Sequence, residues 1–507
     1  MKRMIVLSAA ICTAAFTAKA GGYVTNTNQN VAFLRNPAQN AVIGVQGAYF
    51  NPAGIGFMDN GWHLAFDVQS ALQRRYTTST YEPLKYGVDN EGRGYKKYTG
   101  KSFVPALPHL SLAFKHDNLF ASFHFGVVSG GGKAKYDQGL GSFEAPVAMI
   151  PALINNLAGT QMVTGYDADI NLTGEQYNFA GQLNIGYKIG SKWSVSAGVR
   201  LNYISNYYVG SLRNIQLQYG GQMLPAANVL GAAVSAISGG LIPTETAVGM
   251  VGGLVSDKEL DAHQKDIAWT PILSVDYKTG RFNFSARYEF NTKVRLNNDT
   301  KANTTGISQF DDGKEIAADI PGNINIGAEY SVKPNFRVAL GANYYFDKQS
   351  KQYNNETDLN DKQNYLKHNS FEILGGLEYD LSDVVTLSIG ANSSTFGFGN
   401  DAKYITDLSY TTSSISGGLG ARFNVNPKVA IDLGIYKTFF MHFTKEQPDY
   451  GGNGALIAAK LSPVLGQLAP AVPGLAEKLD IKNLQIPGQD DFYRTSIVGG
   501  IGVTFKF

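Results

Sequence analysis

The last fifteen residues of the chain, 493–507, alternate between apolar side chains and polar or small ones. An alternation of period two predicts an extended strand with one apolar face, and this strand ends the chain on an aromatic residue. The pattern is typical of the closing strand of a membrane β-barrel, although a half-buried sheet in a soluble protein would share it. The apolar face consists of Ile497, Gly499, Ile501, Val503, Phe505 and Phe507.

The first twenty residues have the features of a secretory signal peptide. Two basic residues precede an apolar run over residues 4–16, and Ala18-Lys19-Ala20 provides a cleavage site of small residues. We expect residues 1–20 to be removed, so that the mature chain begins at Gly21. The single cysteine, Cys12, lies in this segment, and the mature chain is therefore predicted to lack disulfides and thiolate metal sites.

Composition favours a membrane barrel and gives no reason to expect a nucleic-acid partner. Three of the 43 Lys and Arg residues lie in the signal peptide, which leaves 40 basic and 41 acidic residues without long runs of either sign. The chain has 57 Gly, 28 Tyr and 28 Phe residues, and no mature segment has 18 consecutive apolar residues. A secreted chain of this kind suits a barrel in a bacterial outer membrane.

Fourteen segments alternate as strands do, with apolar positions predicted to face lipid and polar positions the lumen. Short turns such as Gly190-Ser191 and Asn426-Pro427 alternate with long loops, which a soluble β-sandwich would not show. We expect the short turns and both chain ends to be periplasmic and the long loops extracellular. The predicted strands are 61–72, 106–116, 118–129, 175–189, 192–209, 266–278, 281–297, 317–332, 335–347, 366–381, 384–396, 409–425, 428–442 and 493–507.

A barrel of this width needs a plug. Eight strands fill their interior with side chains, whereas sixteen enclose a water channel, so a bore of intermediate size would leak. Residues 21–60 lack alternation, contain turn signals, and are too apolar for a solvated tether. We interpret them as a folded hatch inside a barrel that spans residues 61–507.

Residues 40–58, NAVIGVQGAYFNPAGIGFM, resemble the N-terminal hatch of FadL/TodX-type outer-membrane transporters of hydrophobic compounds. The resemblance extends over the mature chain in the order of hatch, fourteen strands and terminal Phe507. It implies that an apolar ligand is caught outside, passes into a lumen pocket, and leaves sideways at a kink in the third strand. The hatch and gate residues that it indicates are Asn51, Pro52, Ala53, Gly54 and Gly126.

Gly126 lies in the predicted third strand, shortly before Gly130-Gly131-Gly132. Glycine inside a strand marks bulges and bends, which indicates a wall defect here. The alternative is that Gly126 is a small lumen residue and the triplet begins a loop.

Three long loops contain apolar stretches of helical length, at 145–163, 223–255 and 455–479. Apolar helices should not remain exposed to water, so they either form a cup for acyl chains or pack on one another as a lid. The candidate capture residues are Leu224, Leu230, Val234, Ile237 and Leu241.

Inside the lumen, strand parity places Arg200 and Arg287 near mid-height, and Glu289 also points inward. An arginine holds a carboxylate through two parallel hydrogen bonds, which makes these two residues the candidate headgroup site for a fatty acid. The alternative is ordinary pairing with lumen carboxylates or with the hatch.

His109 and His124 also point inward, on adjacent strands. A turn at Asp117-Asn118 would make them diagonal neighbours, and such a pair is a candidate for ligating a metal or haem iron, with a polar lumen cluster as the alternative. Ser111 near His124 is a possible nucleophile and base pair, without a visible orienting carboxylate.

The sequence therefore predicts an all-β protein, a 14-stranded antiparallel transmembrane barrel with an N-terminal hatch, in the bacterial outer membrane. We expect passive uptake of hydrophobic molecules, first of all long-chain fatty acids, without enzymatic activity or a cofactor. Alternatives are a haem or aromatic-hydrocarbon carrier and, from other classes, a barrel enzyme or an adhesin. Expected partners besides the ligand are outer-membrane lipids and, through Phe507, the barrel-assembly machinery.

Overall fold

The computed structural model describes residues 26–353, 362–399, 404–407, 410–452, 454 and 485–507. The predicted signal peptide and the predicted apolar stretch at 455–479 lie outside these ranges. The described residues form one antiparallel sheet that closes on itself, because the last strand pairs with the first along its whole length, for example at Val68 and Ile501. The predicted fold class, a closed barrel of fourteen strands with an N-terminal helical region, is confirmed.

The barrel strands follow one another around the wall in chain order. The first six are Gly61–Tyr81, Tyr95–His116, Leu119–Tyr136, Val163–Ile189, Trp193–Tyr219 and Lys258–Thr279, and Gln222–Pro225 folds back on the fifth. The seventh has two segments, Phe282–Glu289 and Arg295–Asn303, and so has the eighth, Glu315–Ala317 and Asn323–Lys333. The remaining six are Phe336–Tyr345, Ser370–Asp380, Val385–Thr395, Ser414–Asn426, Val429–Phe440 continued by Phe443–Gln447, and Gly488–Lys506.

The predicted alternation of faces is confirmed by side-chain exposure. On the outer face Trp193 is 50% exposed, Ile501 52% and Phe507 69%, whereas the intervening Ser194 and Arg200 are buried in the lumen. The backbone N–H of Phe507 donates to the carbonyl oxygen of Trp62 at 2.9 Å, so the chain ends beside the start of the first strand.

The strands that border the largest loops are longer than the sequence predicts. The fourth and fifth strands each have 27 residues and extend past the predicted limits at 175 and 209. Outside the membrane an outward position needs no apolar side chain, and the extension carries Asp167, Asp169 and Asn171 outward. The period-two signal therefore disappears although the pairing continues.

Helices occur only in the hatch and the loops among the described residues. The hatch contains helices Val31–Arg35 and Gly47–Phe50 and the 3-10 helix Pro52–Phe57. In the described part of the chain no helix is both long and apolar enough to cross a membrane. The loop helices are Gly141–Ala158, Ala226–Ile237 and Thr244–Val251, with 3-10 turns at Glu82–Tyr86, Val88–Asn90, Gly252–Leu254, Ser308–Phe310, Asp347–Gln349, Lys362–Tyr365 and Tyr450–Gly452.

Candidate functional site: a plugged lumen with an interrupted wall

The described hatch residues, 26–60, form the plug of the lumen. Asn30 begins the first helix by accepting the N–H of Phe33 on its side-chain oxygen at 2.9 Å, and Asn51 caps the 3-10 helix by accepting the N–H of Gly54 at 3.1 Å. Asparagine is a preferred residue at both positions because it replaces a missing helical acceptor. The apolar hatch side chains, including Phe33 and Phe50, are buried against the barrel.

Hydrogen bonds and an ion pair join the hatch to the sixth, ninth and tenth strands of the wall. Asn51 donates to Asp276 on the sixth strand at 2.5 Å, and Asn40 donates to Asn343 on the ninth at 2.9 Å. Arg35 forms an ion pair of 2.6 Å with Glu378 on the tenth strand. Of the predicted hatch residues, Pro52, Ala53 and Gly54 are buried next to Asn51, and Ala53 N–H donates to Ser274.

Arg200 and Arg287 share one carboxylate next to the hatch. Arg200 donates to both oxygens of Glu289 at 2.8 Å, and Arg287 lies 3.1 Å from the same group. Both guanidinium groups also lie against the ring of Tyr49, at 4.8 and 5.0 Å from its centre, and Arg287 donates to the Tyr49 carbonyl oxygen. All four side chains are buried, so the two arginines hold the hatch in this state.

The lumen contains a second pair of arginines, Arg75 and Arg494, which the sequence pattern did not predict. They are direct cross-strand partners on the first and last strands, and both are buried. The Arg494 guanidinium lies 4.6 Å from the Phe440 ring centre, and Arg75 lies 6.0 Å from that of Tyr410. Arg494 lies on the polar face of the predicted last strand, so the alternation of that strand indicates that its side chain points into the lumen. Arg75 falls beyond the predicted end of the first strand.

His109 and His124 are diagonal neighbours because the turn falls at Asp117-Asn118, and their ring centres lie 6.3 Å apart. The Nδ1 atom of His124 lies 3.0 Å from the Ser111 hydroxyl, and its Nε2 atom lies 3.5 Å from the hatch residue Gln29. The side-chain amide of Gln29 thus lies where the orienting carboxylate of a catalytic triad would lie. Among the described residues no cluster of three His, Cys, Asp or Glu side chains could hold a metal ion.

The wall is interrupted between the second and third strands. Pairing stops after Ser102 with Ala134 and resumes at Leu110 with Phe125, so residues 103–109 and 126–133 of the described strands do not pair with each other. Pro105 and Pro108 lie in this part of the second strand, and a proline has no N–H to donate to a ladder. Opposite them, Gly130 and Gly132 have φ values of 100° and 68°, which favour glycine.

The hatch occupies the lumen side of this interruption. Asn26 donates its backbone N–H to the carbonyl oxygen of Val128 at 2.8 Å, and the Gln29 side chain donates to that of Val127 at 3.0 Å. Gly126 lies at the periplasmic end, where a Cβ atom would come within 2.5 Å of His109 and 2.8 Å of Gln29. A cavity of about 70 Å³ lies next to this interruption, between the hatch and residues such as Leu107 and Tyr177.

The extracellular helices form an apolar cluster with the extended strands. Leu230 is buried in it, Leu224, Val234 and Ile237 pack against it, and Leu241 is 67% exposed. An apolar cavity of about 130 Å³ lies beside this cluster rather than among the candidate capture residues. Its lining includes Val147, Ile150, Leu212, Ile215, Leu254 and Lys258.

These features define a class, the outer-membrane β-barrel with a folded N-terminal plug in its lumen. The family described as "Outer membrane protein beta-barrel domain" matches residues 293–461. No curated protein sequence matches the chain.

Solved structures of FadL/TodX-type proteins have this fold. A FadL homologue of Pseudomonas aeruginosa has a TM-score of 0.60 and 14% identity, over 96% of this chain and all of its own. The toluene transporter TodX of Pseudomonas putida has a TM-score of 0.53 and 13% identity, over 92% of this chain and 94% of its own. The toluene transporter TbuX of Ralstonia pickettii has a TM-score of 0.51 and 12% identity, over 94% of this chain and 98% of its own. The predicted resemblance and outer-membrane location are confirmed at the level of the fold.

Proposed function

We propose that the protein carries hydrophobic molecules inward across the outer membrane and releases them sideways through the wall. The observation that carries this proposal is the interruption between the second and third strands, in the wall of a lumen where the hatch is packed against the barrel. A lateral outlet is useful to a molecule that prefers lipid to water and useless to a sugar or an ion. The fold likeness to transporters of hydrophobic compounds supports the same conclusion.

Capture takes place at the extracellular apolar cavity beside Ile150 and Leu212. Each methylene group that leaves water contributes about 0.8 kcal/mol, so even a short buried length of acyl chain holds the ligand. Of the candidate capture residues, Leu224, Leu230, Val234 and Ile237 belong to or pack against the adjoining apolar cluster, and Leu241 presents apolar surface to the outside.

Long-chain fatty acids are the substrates we propose first, because the lumen offers two pairs of arginines along the route. Arg75 and Arg494 bring two buried guanidinium groups together near the extracellular side, an arrangement that attracts a carboxylate. Arg200 and Arg287 form a deeper headgroup site that becomes available when Tyr49 withdraws. The second candidate class is neutral aromatic hydrocarbons, which the likeness to the toluene transporters favours.

Release follows when the hatch moves. Asn26 and Gln29 hold the carbonyl groups of Val127 and Val128, so withdrawal of these hatch residues frees the edge of the third strand. No chemistry or bound energy source is required, since a sink beyond the membrane keeps the transfer downhill. The exposed C-terminal Phe507 remains our proposed contact with the barrel-assembly machinery.

Uptake of labelled oleate and of labelled toluene into proteoliposomes tests the substrate class. We expect saturable oleate uptake that falls about tenfold or more in Arg75→Gln/Arg494→Gln, because both charge-assisted contacts of this pair are lost. Toluene uptake should be unaffected by this double variant. Uptake of toluene alone would replace fatty acids by aromatic hydrocarbons, and uptake of neither would refute the transport proposal.

A further inference from the structure

The outer surface of the first three strands carries a row of basic side chains. Arg74 on the first strand is the direct cross-strand partner of Lys101 on the second, and Lys101 is that of Lys135 on the third. All three point outward and are exposed. Like charges placed directly opposite each other destabilise a sheet unless an anion lies between them. We call these three residues the basic row.

The basic row lies at the extracellular boundary of the lipid-facing band. Just beyond it, Tyr76 stacks on Tyr493 at 6.0 Å, as in the aromatic belts that mark membrane interfaces. Just below it, Leu72 and Phe103 are 40% and 61% exposed on the lipid face. From Trp62 at the periplasmic end to Arg74, a tilted strand rises about 30 Å, which exceeds the apolar height of about 25 Å.

Few carboxylates neutralise the row. Lys135 forms an ion pair of 2.7 Å with Asp137, and both side chains are exposed. Within the residues that the structure describes, neither Arg74 nor Lys101 has a carboxylate within 4.0 Å. The nearby Lys97 lies over the Tyr76 ring at 4.5 Å and adds a further positive charge. Lys133, two residues before Lys135, is also exposed and has Glu175 as its cross-strand partner.

We propose that the basic row binds the phosphate groups of a phosphorylated glycolipid in the outer leaflet. A phosphate accepts several hydrogen bonds, and arginine with two lysines supplies both the planar fork and the point charges that hold it. The row faces the bilayer and continues directly into lipid-exposed apolar side chains, so its ligand must have acyl chains as well as phosphate. Basic clusters at membrane interfaces bind anionic lipid headgroups in this way.

The site borders the interruption in the wall. Lys101 precedes Ser102, whose pair with Ala134 is the last before the unpaired stretch, and Lys135 follows on the opposite strand. A lipid bound at the row therefore covers the extracellular end of the opening. It would keep the two strand ends together while the hatch moves behind them.

Native mass spectrometry of the whole protein in mild detergent tests this site, with bisphosphorylated lipid A and its dephosphorylated form as probes. We expect the wild type to bind lipid A, to bind the dephosphorylated form much more weakly, and to lose lipid A at high salt. Arg74→Gln/Lys101→Gln/Lys135→Gln should lose about tenfold or more of the affinity.

Lys265→Gln/Lys293→Gln/Lys301→Gln is the matched control, since it removes three exposed basic charges from another part of the barrel. Heat-modifiable migration in gels establishes that both variants fold as barrels. Wild-type affinity in the first variant, equal loss in the control, or equal binding of the two lipids would overturn the proposal. Displacement of lipid A by equimolar oleate would also overturn it, because the row would then belong to the transported ligand.

Discussion

Arg200 on the fifth strand and Glu289 on the seventh form a two-pronged ion pair, with both terminal guanidinium nitrogens 2.8 Å from the carboxylate oxygens. The pair is buried, and Arg287 lies 3.1 Å from the same carboxylate. The ring of Tyr49 covers both arginines, so one carboxylate links two wall strands to the hatch. In this state Glu289 occupies the place where a ligand carboxylate would bind the arginines.

Replacing Glu289 by Gln should therefore strengthen the binding of a fatty acid. The two guanidinium groups lose their internal carboxylate, and a ligand carboxylate can take its position. We expect the oleate affinity of Glu289→Gln to rise about tenfold and that of Arg200→Ala to fall, as measured by equilibrium binding in detergent.

The control for this pair is Arg281→Gln, a change at an exposed turn residue. Because Glu289→Gln leaves two buried cations, its barrel must first be shown to be folded by circular dichroism. Unchanged oleate affinity in a folded Glu289→Gln and in Arg200→Ala would remove Arg200 and Arg287 from the ligand route.

Asn51→Ala should loosen the hatch. The change removes the bond to Asp276 and the cap on Gly54 N–H, which together contribute about 1 to 3 kcal/mol. We expect higher ion conductance in planar bilayers and faster cleavage of the hatch by protease from the periplasmic side. Asn60→Ala, at an exposed periplasmic residue, should behave as the wild type. Equal conductance in all three proteins would contradict the role given to Asn51.

Gly126→Val should slow transport, because its Cβ atom would displace the hatch residue Gln29 and the His109 ring. Gly181→Val is the matched control, since Gly181 is the neighbouring glycine on the fourth strand and its Cβ atom would meet Phe123 only at 3.4 Å. Oleate uptake into proteoliposomes should fall in the first variant and persist in the second. If Gly126→Val transports normally, the gate does not involve this position.

Lys362 should make the extracellular loop before the tenth strand sensitive to pH. Burial, with a smaller effect of the nearby Lys445, lowers the pKa of Lys362 from 10.5 to about 7. The unfolded loop then holds the proton between these two values while the folded loop does not. The loop is therefore least stable below the folded pKa and becomes more stable as the pH rises toward 10.5.

Hydrogen exchange of this loop at about pH 6 and about pH 9 measures the effect. Because the intrinsic rate of amide exchange itself rises with pH, the comparison is made between protection factors. We expect lower protection at the lower pH in the wild type and no such difference in Lys362→Met. Lys348→Met changes an exposed lysine of the same loop and should keep the wild-type difference. A pH response that survives in Lys362→Met would assign it to another group.

Much of the architecture could be predicted because lipid imposes a simple rule on each strand. Trp193 and Phe282 are outward and exposed as predicted, since every second residue within the membrane must be apolar. The strand extensions toward Tyr219 and Val163 were missed, because outside the membrane that rule no longer applies.

Two features of the sequence indicate the interruption of the wall, and the prediction rested on only one of them. The glycines of the third strand indicated a defect, but Pro105 and Pro108 on the second strand explain why pairing fails over a whole stretch. The contacts of Arg200 with Glu289 and Tyr49 could not be predicted, since they depend on which strands meet the hatch. Parity gives the direction of a side chain and not its partner.

Photolabelling tests lateral passage most directly. A fatty acid with a diazirine near the end of its chain is added from outside to proteoliposomes during uptake, and the labelled residues are located by mass spectrometry. We predict labels at the extracellular cavity around Ile150 and then on residues 103–109 and 126–133, with the second group diminished in Gly126→Val. Continued uptake with labels confined to the loops and the rest of the lumen, and none at the interrupted wall, would contradict the account.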